Sequence, residues 1–161
     1  MALFGDVHVN SGWACLMPVT ALAGAQTLIP IAASATGATP KSGPITQVGG
    51  AKYLVCEAIL VVAGGGTTAK AYVQTSLDQG ATWFDVICFA FTNTTASKTA
   101  AISSGIAFAA SAYAPLTPGN GALADNTCIQ GIFGDRFRVS YVTTGTFTGA
   151  SSLAVYAQVK G

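Results

Sequence analysis

A chain of 161 residues is long enough to build one hydrophobic core and short for two ordinary domains. Only 8% of its residues are charged, against about 25% in a typical soluble domain, and the formal net charge is +1. This excludes the basic patch a nucleic-acid binder needs and leaves little repulsion between copies, so the surface is expected to be covered by partners.

The start, Met1-Ala2-Leu3-Phe4-Gly5-Asp6, carries an acid where a secretory signal has its basic region, and export by that route is not expected. Residues 1–50 lack helical periodicity and are punctuated by Pro18, Pro30, Pro40 and Pro44. They read as an extended arm with one or two short strands. Its apolar pieces, Leu16-Met17-Pro18-Val19 and Thr27-Leu28-Ile29-Pro30-Ile31, need a surface to lie on, either their own domain or a neighbour.

From Lys52 onward β-branched and aromatic runs of strand length alternate with Gly, Asn and Asp. The pattern predicts strands near 52–63, 68–77, 82–92, 99–103, 105–110, 128–133, 136–144 and 152–160. Turns are predicted at Gly64-Gly65-Gly66, Asp78-Gln79-Gly80, Pro118-Gly119-Asn120-Gly121 and residues 145–149. The run Ala58-Ile59-Leu60-Val61-Val62-Ala63 falls far short of the roughly 20 apolar residues of a membrane helix, and a membrane barrel would need a cleaved signal, so no membrane is expected. Arg136, Arg138 and Ser140 alternate with Phe137, Val139 and Tyr141, and Leu153, Val155, Ala157 and Val159 repeat that logic. The two runs are read as a closing hairpin with one buried and one polar face. The expected fold is all-β: a single antiparallel β-sandwich, jelly-roll-like, over 51–161, with an extended N-terminal arm over 1–50.

The sharpest local motif is Ser76-Leu77-Asp78-Gln79-Gly80-Ala81-Thr82-Trp83, which resembles the S-x-D-x-G-x-T-W Asp box of sialidase blades. Its parts are structural. Asp78 accepts turn amides, Gly80 supplies a positive φ, and Trp83 packs back under the loop. A sialidase would carry several boxes, an arginine cluster and a tyrosine nucleophile across a propeller, whereas the arginines here are Arg136 and Arg138. Asp78 and Asp85 read as a turn cap and a surface charge rather than a glycosidase pair. His8, between Val7 and Val9, reads as strand alternation rather than a triad base. Gly64-Gly65-Gly66-Thr67-Thr68 lacks the Lys-Ser/Thr ending of a phosphate loop. Cys15, Cys56, Cys88 and Cys128 are too scattered for a zinc site. Cys56 and Cys88 read as buried hydrophobes, while Cys15 and Cys128 leave inter-subunit disulfides open. No catalytic residue, cofactor or metal is expected. Asp135, Arg136 and Arg138 form the one local concentration of charge, which suits an intersubunit contact or a solvated face equally.

Three segments together carry a wider resemblance: Tyr72 through Asp85, then Asp125-Asn126-Thr127, then Gly134-Asp135-Arg136-Phe137-Arg138-Val139 running into the Thr-Gly-Thr-Phe turn. Over residues 50–161 the chain resembles small β-rich virion proteins of tailed bacteriophages. That resemblance implies a non-enzymatic structural role, foremost a capsid decoration or cement protein, with a neck, connector or tail protein as the alternative. It also implies assembly in the host cytoplasm into the virion, and partners that are copies of itself, a trimer by the habit of such proteins, and the major capsid protein or neighbouring neck and tail proteins. The weakly charged β domain and apolar arm suit edge pairing and arm exchange. A glycan-binding sandwich displaying Trp13, Trp83 or Tyr113 is the competing reading.

Overall fold

The structure, a computed structural model, describes residues 7–8, 12–22, 24–25, 46–47, 51–105, 118–119 and 121–161. The strands are β1 (Val7–His8), β2 (Gly12–Ala21), β3 (Gly24–Ala25), β4 (Thr46–Gln47), β5 (Tyr53–Val61), β6 (Thr68–Ser76), β7 (Phe84–Thr92), β8 (Ala96–Ser103), β9 (Arg136–Thr144), β10 (Thr146–Phe147) and β11 (Ser152–Lys160). They form a five-stranded sheet in the order β1-β4-β9-β6-β7 and a four-stranded sheet in the order β2-β11-β5-β8, with β10 and β3 paired beside them. Apart from the parallel two-residue β1/β4 pair, every pairing is antiparallel. The fold is therefore all-β, and the two sheets make a β-sandwich.

Register explains how the layers arise. Pairing of β6 with β9 runs from Ser76↔Arg136 to Thr68↔Thr144, and across a gap it continues between β5 and β11 from Val61↔Ser152 to Tyr53↔Lys160. The β6/β7 ladder continues in the same way as the β5/β8 ladder, from Leu60↔Ala96 to Tyr53↔Ser103. The core of the molecule is thus one three-stranded antiparallel sheet of long strands, folded over so that its two halves face each other. Leu54, Cys56, Ala58 and Leu60 of β5 meet Val73 of β6, Phe89 and Phe91 of β7, and Phe137 and Val139 of β9 in one buried cluster. Each large side chain so buried contributes about 1.5–3 kcal/mol.

This topology corrects the closing-hairpin reading. The β9 and β11 runs lie in different sheets, and residues 145–151 form the corner between them. Gly64-Gly65-Gly66 is the matching corner between β5 and β6. Gly65 and Gly66 adopt φ of +64° and +71°, a Cβ on Gly65 would strike the Thr146 carbonyl oxygen, and one on Gly66 would lie 2.5 Å from the Phe147 ring. Only glycine tolerates both the conformation and the approach. Gly66 N–H to Thr146 O (2.7 Å) and Thr148 N–H to Gly64 O (2.8 Å) bind the two corners together.

Three further expectations change. Gly12–Ala21 is no arm but an edge strand of the four-stranded sheet, with Leu16 and Met17 in the core, so the sandwich takes in part of the segment 1–50. Residues 128–133 form no strand; Cys128 makes one isolated bridge to Ile87 and the segment lies along the sandwich flank. The polar side of β9 is also covered, because Ser140 and Val142 are buried and Val142 packs with Tyr72, Cys88 and Leu123 in a small second cluster. Elsewhere in the arm β1, β3 and β4 are two-residue strands; its other residues apart from Leu22, the strand expected over 105–110 beyond Gly105, and Tyr113 lie outside the described residues.

The flank segment has a definite job. Cys88 N–H bonds Thr127 O (2.9 Å) and Ile129 N–H bonds Val86 O (2.8 Å), closing the outer edge of β7. The Gln130 side chain accepts Ser103 N–H (2.9 Å) and donates to Ala101 O (2.7 Å), standing in for a neighbouring strand on β8. The opposite edge strand, β2, holds Pro18 and two register shifts against β11. Blocked, bulged or proline-bearing edges resist strand addition, and the covered parts of β7 and β8 and the β2 edge have such features.

Candidate functional site

The β6–β7 hairpin brings together the Asp-box residues as the motif requires. Ser76 Oγ donates to Asp78 Oδ1 (2.8 Å) and accepts from Gly80 N–H (2.7 Å). Asp78 accepts Thr82 N–H on Oδ1 and the Thr82 hydroxyl on Oδ2, each at 2.7 Å. Gln79 and Gly80 take φ of 60° and 98°, and Trp83 Nε1 returns a bond to Gly80 O (2.9 Å). The turn is pinned from behind, where Thr75 Oγ1 accepts Gly134 N–H and donates to Arg136 O.

The Thr82 hydroxyl and amide, then the Ser76 hydroxyl, hold the Asp78 carboxyl down to about 2. The folded value lies below the unfolded one of about 3.9. The stabilisation from these bonds is therefore fully present above about pH 4 and is lost as pH falls toward 2. In thermal melts, Asp78→Asn is expected to unfold below the parent protein at pH 6 and to lose less stability than the parent between pH 4 and 2. A carboxylate so held is ionised at neutral pH and has no proton to donate as a general acid.

Sequence reading missed the network behind the turn. Asp85, read as a surface charge, is only 7% exposed. Its Oδ1 accepts Gln74 Nε2 (2.7 Å) and its Oδ2 accepts Ala122 N–H (2.9 Å). Gln74 Oε1 accepts Arg138 Nε (2.8 Å), and the Arg138 guanidinium lies 4.0 Å from the Trp83 ring centroid. Gly119 N–H bonds Trp83 O, fastening Gly119 to the same cluster. Burial brings the Arg138 pKa down to about 10, opposed by Asp85, so the group stays charged at neutral pH. Arg138 is thus engaged inside the chain rather than offered beside Arg136. The Asp135–Arg136 pair is looser, at 3.9 Å, and Arg136 Nε makes no hydrogen bond.

Beyond the network, two shallow grooves of about 500 and 450 Å³ share Lys98 and Asn126 on the flank. Lys98 Nζ donates to Ala90 O (2.6 Å) and Asn126 Oδ1 (2.7 Å), and Lys70 pairs with Asp125 at 2.5 Å. Both ammonium groups strap the 125–127 turn to the sheet. Cys56 and Cys88 are buried, and all four thiols are unpaired. Burial pushes Cys15, Cys56 and Cys88 above the usual thiol range, which makes them poor nucleophiles. Among the described residues no three His, Cys, Asp or Glu side chains are grouped to hold a metal.

The outer face of the four-stranded sheet is the remaining feature. Tyr53 and Val61 are 51% and 41% exposed there, with Val55 and Ile59 half-buried between them. Its neighbours from β8 are Ser97, Thr99 and Ala101, and from β11 Ala154, Tyr156 and Gln158. Compared with known proteins, the chain matches no family model, no curated protein and no solved structure.

Proposed function

We propose that this chain is a non-enzymatic structural subunit of a tailed-phage virion, foremost a capsid decoration protein that reinforces the head lattice. The observation that supports this reading is the outer face of the four-stranded sheet. Among the described residues its charges are Glu57 and Lys160, while Tyr53, Val55, Ile59 and Val61 present apolar surface to solvent. Apolar surface of that extent is a contact surface. The side chains of Asp85 and Arg138 are bonded inside the chain, and Asp78 is spent on its own turn. A glycan platform at Trp83 is disfavoured, since the residue is 8% exposed and its ring is capped by Arg138.

Locating the chain in intact particles by cryo-electron microscopy tests the proposal. Copies spread across the whole shell support decoration. A single ring of about six to twelve copies, following closed symmetry, moves the chain to the neck or tail. Particles without it overturn the virion reading.

A further inference from the structure

We infer that two copies of this chain pack face to face through the outer surface of the four-stranded sheet, about a two-fold axis that sets Glu57 of each copy against Lys160 of the other. This deepens the contact-protein reading above and rests on its view of that face, but not on the virion.

Strand addition is the usual alternative route to a β-sheet dimer, and here it meets obstacles. Residues 127–130 bond the β7 edge at Val86 and Cys88 and the end of β8 at Ala101 and Ser103, and β2 carries Pro18 and its register shifts. The outer face offers another route. It is β-branched and aromatic along β5, and small or hydroxylated along β8, where Ser97, Thr99 and Ala101 are exposed, while Ala154 of β11 is buried. Four strands about 4.8 Å apart and nine residues of about 3.3 Å give roughly 600 Å² per copy. Two such faces bury about 1,200 Å², the lower end of specific interfaces.

The charges choose the occupant. Glu57 and Lys160 are both exposed, and neither side chain has an ionic or hydrogen-bonding partner among the described residues. Lys160 lies opposite Tyr53, on the strand next to Glu57 and four residues along. The offset is about 13 Å along the strands and about 5 Å across them, too long for an ion pair within one copy. A two-fold axis in the interface, perpendicular to that offset, exchanges the two positions. Each acid then sits over the partner's base, and both lone charges on the face are neutralised. The same axis crosses the strands of the two copies at about 40°, close to the roughly 30° at which aligned sheets pack. An isologous contact demands this kind of self-complementarity.

Sedimentation velocity of the full chain between about 1 and 100 µM, the weak end for interfaces of this size, tests the pairing. A monomer–dimer equilibrium is expected. Glu57→Lys and Lys160→Glu should each weaken it by about tenfold or more, since each reversal makes two repulsive pairs, and the double reversal should restore it. Val55→Arg, in the apolar part of the face, should abolish the dimer even at high salt. Thermal unfolding of each variant as a monomer checks that the sandwich is intact. A chain that stays monomeric, one that forms trimers, or a dimer that ignores both reversals or is not restored in the double overturns the inference. Presence or absence in particles bears on the virion reading alone, so the two can fail separately.

Discussion

Phe147→Ala is expected to destabilise the protein by about 3–5 kcal/mol, the range for removing a fully buried phenylalanine. For a chain of this length that is a melting point lowered by roughly 10 °C or more. Phe147 is 1% exposed and stands at the corner where the folded three-stranded sheet turns back on itself. It bridges Gly65, and its ring covers the position a Gly66 side chain would occupy. Truncation removes core packing and the contact that sets the angle between the two sheets. Gly66→Ala should damage the same joint from the other side, through a methyl pressed into the ring and a strained positive φ. Because both changes act on one contact, the double variant is expected to lose less than the sum of the two, which chemical denaturation of all four proteins would measure.

Asp85→Ala is the second change of large expected effect, about 3 kcal/mol. It removes the 2.7 Å acceptor of Gln74 Nε2, leaves Ala122 N–H without its acceptor and takes away the negative charge that faces Arg138, and an unsatisfied buried donor costs about 1–3 kcal/mol. Asp85→Asn keeps an acceptor of the same shape and should lose less. A readout beyond global stability follows from the Ala122 bond. Hydrogen exchange at the Gly119 and Ala122 amides should accelerate in Asp85→Ala, because their loop is anchored through this cluster. If exchange at these amides is unchanged, Asp85 is not what holds the loop.

Much of the fold was legible in the sequence wherever the signal was local. The alternation in β9 and β11 marked the core face correctly, and the Asp box announced the β6–β7 hairpin residue by residue. Glycine-rich breaks misled because a glycine cluster serves a chain reversal and a sheet corner equally well. The choice between them depends on partners tens of residues away, as in Val61↔Ser152. The run 128–133 has strand composition but ends as an edge cover, with Gly131 at φ +84° and Gln130 spending its side chain on β8. The Gln74–Asp85–Arg138 cluster was invisible for the same reason. Arg138 meets Gln74 through the β6/β9 register, and nothing near either residue in the sequence signals the other. The outer face of the four-stranded sheet could be suspected from low charge alone, whereas the diagonal placement of Glu57 and Lys160 needed the register.

The position of β2 also has a consequence for how the molecule is made. Among the described residues its sheet partner is β11, so Gly12 must wait for Val159 before that pair can close. At about 5–20 residues per second, translation separates the two strands by on the order of ten seconds. Throughout that interval Leu16 and Met17, later sealed in the core, have no ladder to join. Pro18 directly follows them and cannot donate to a foreign strand, so the residue that interrupts the finished edge also guards the nascent chain against aggregation.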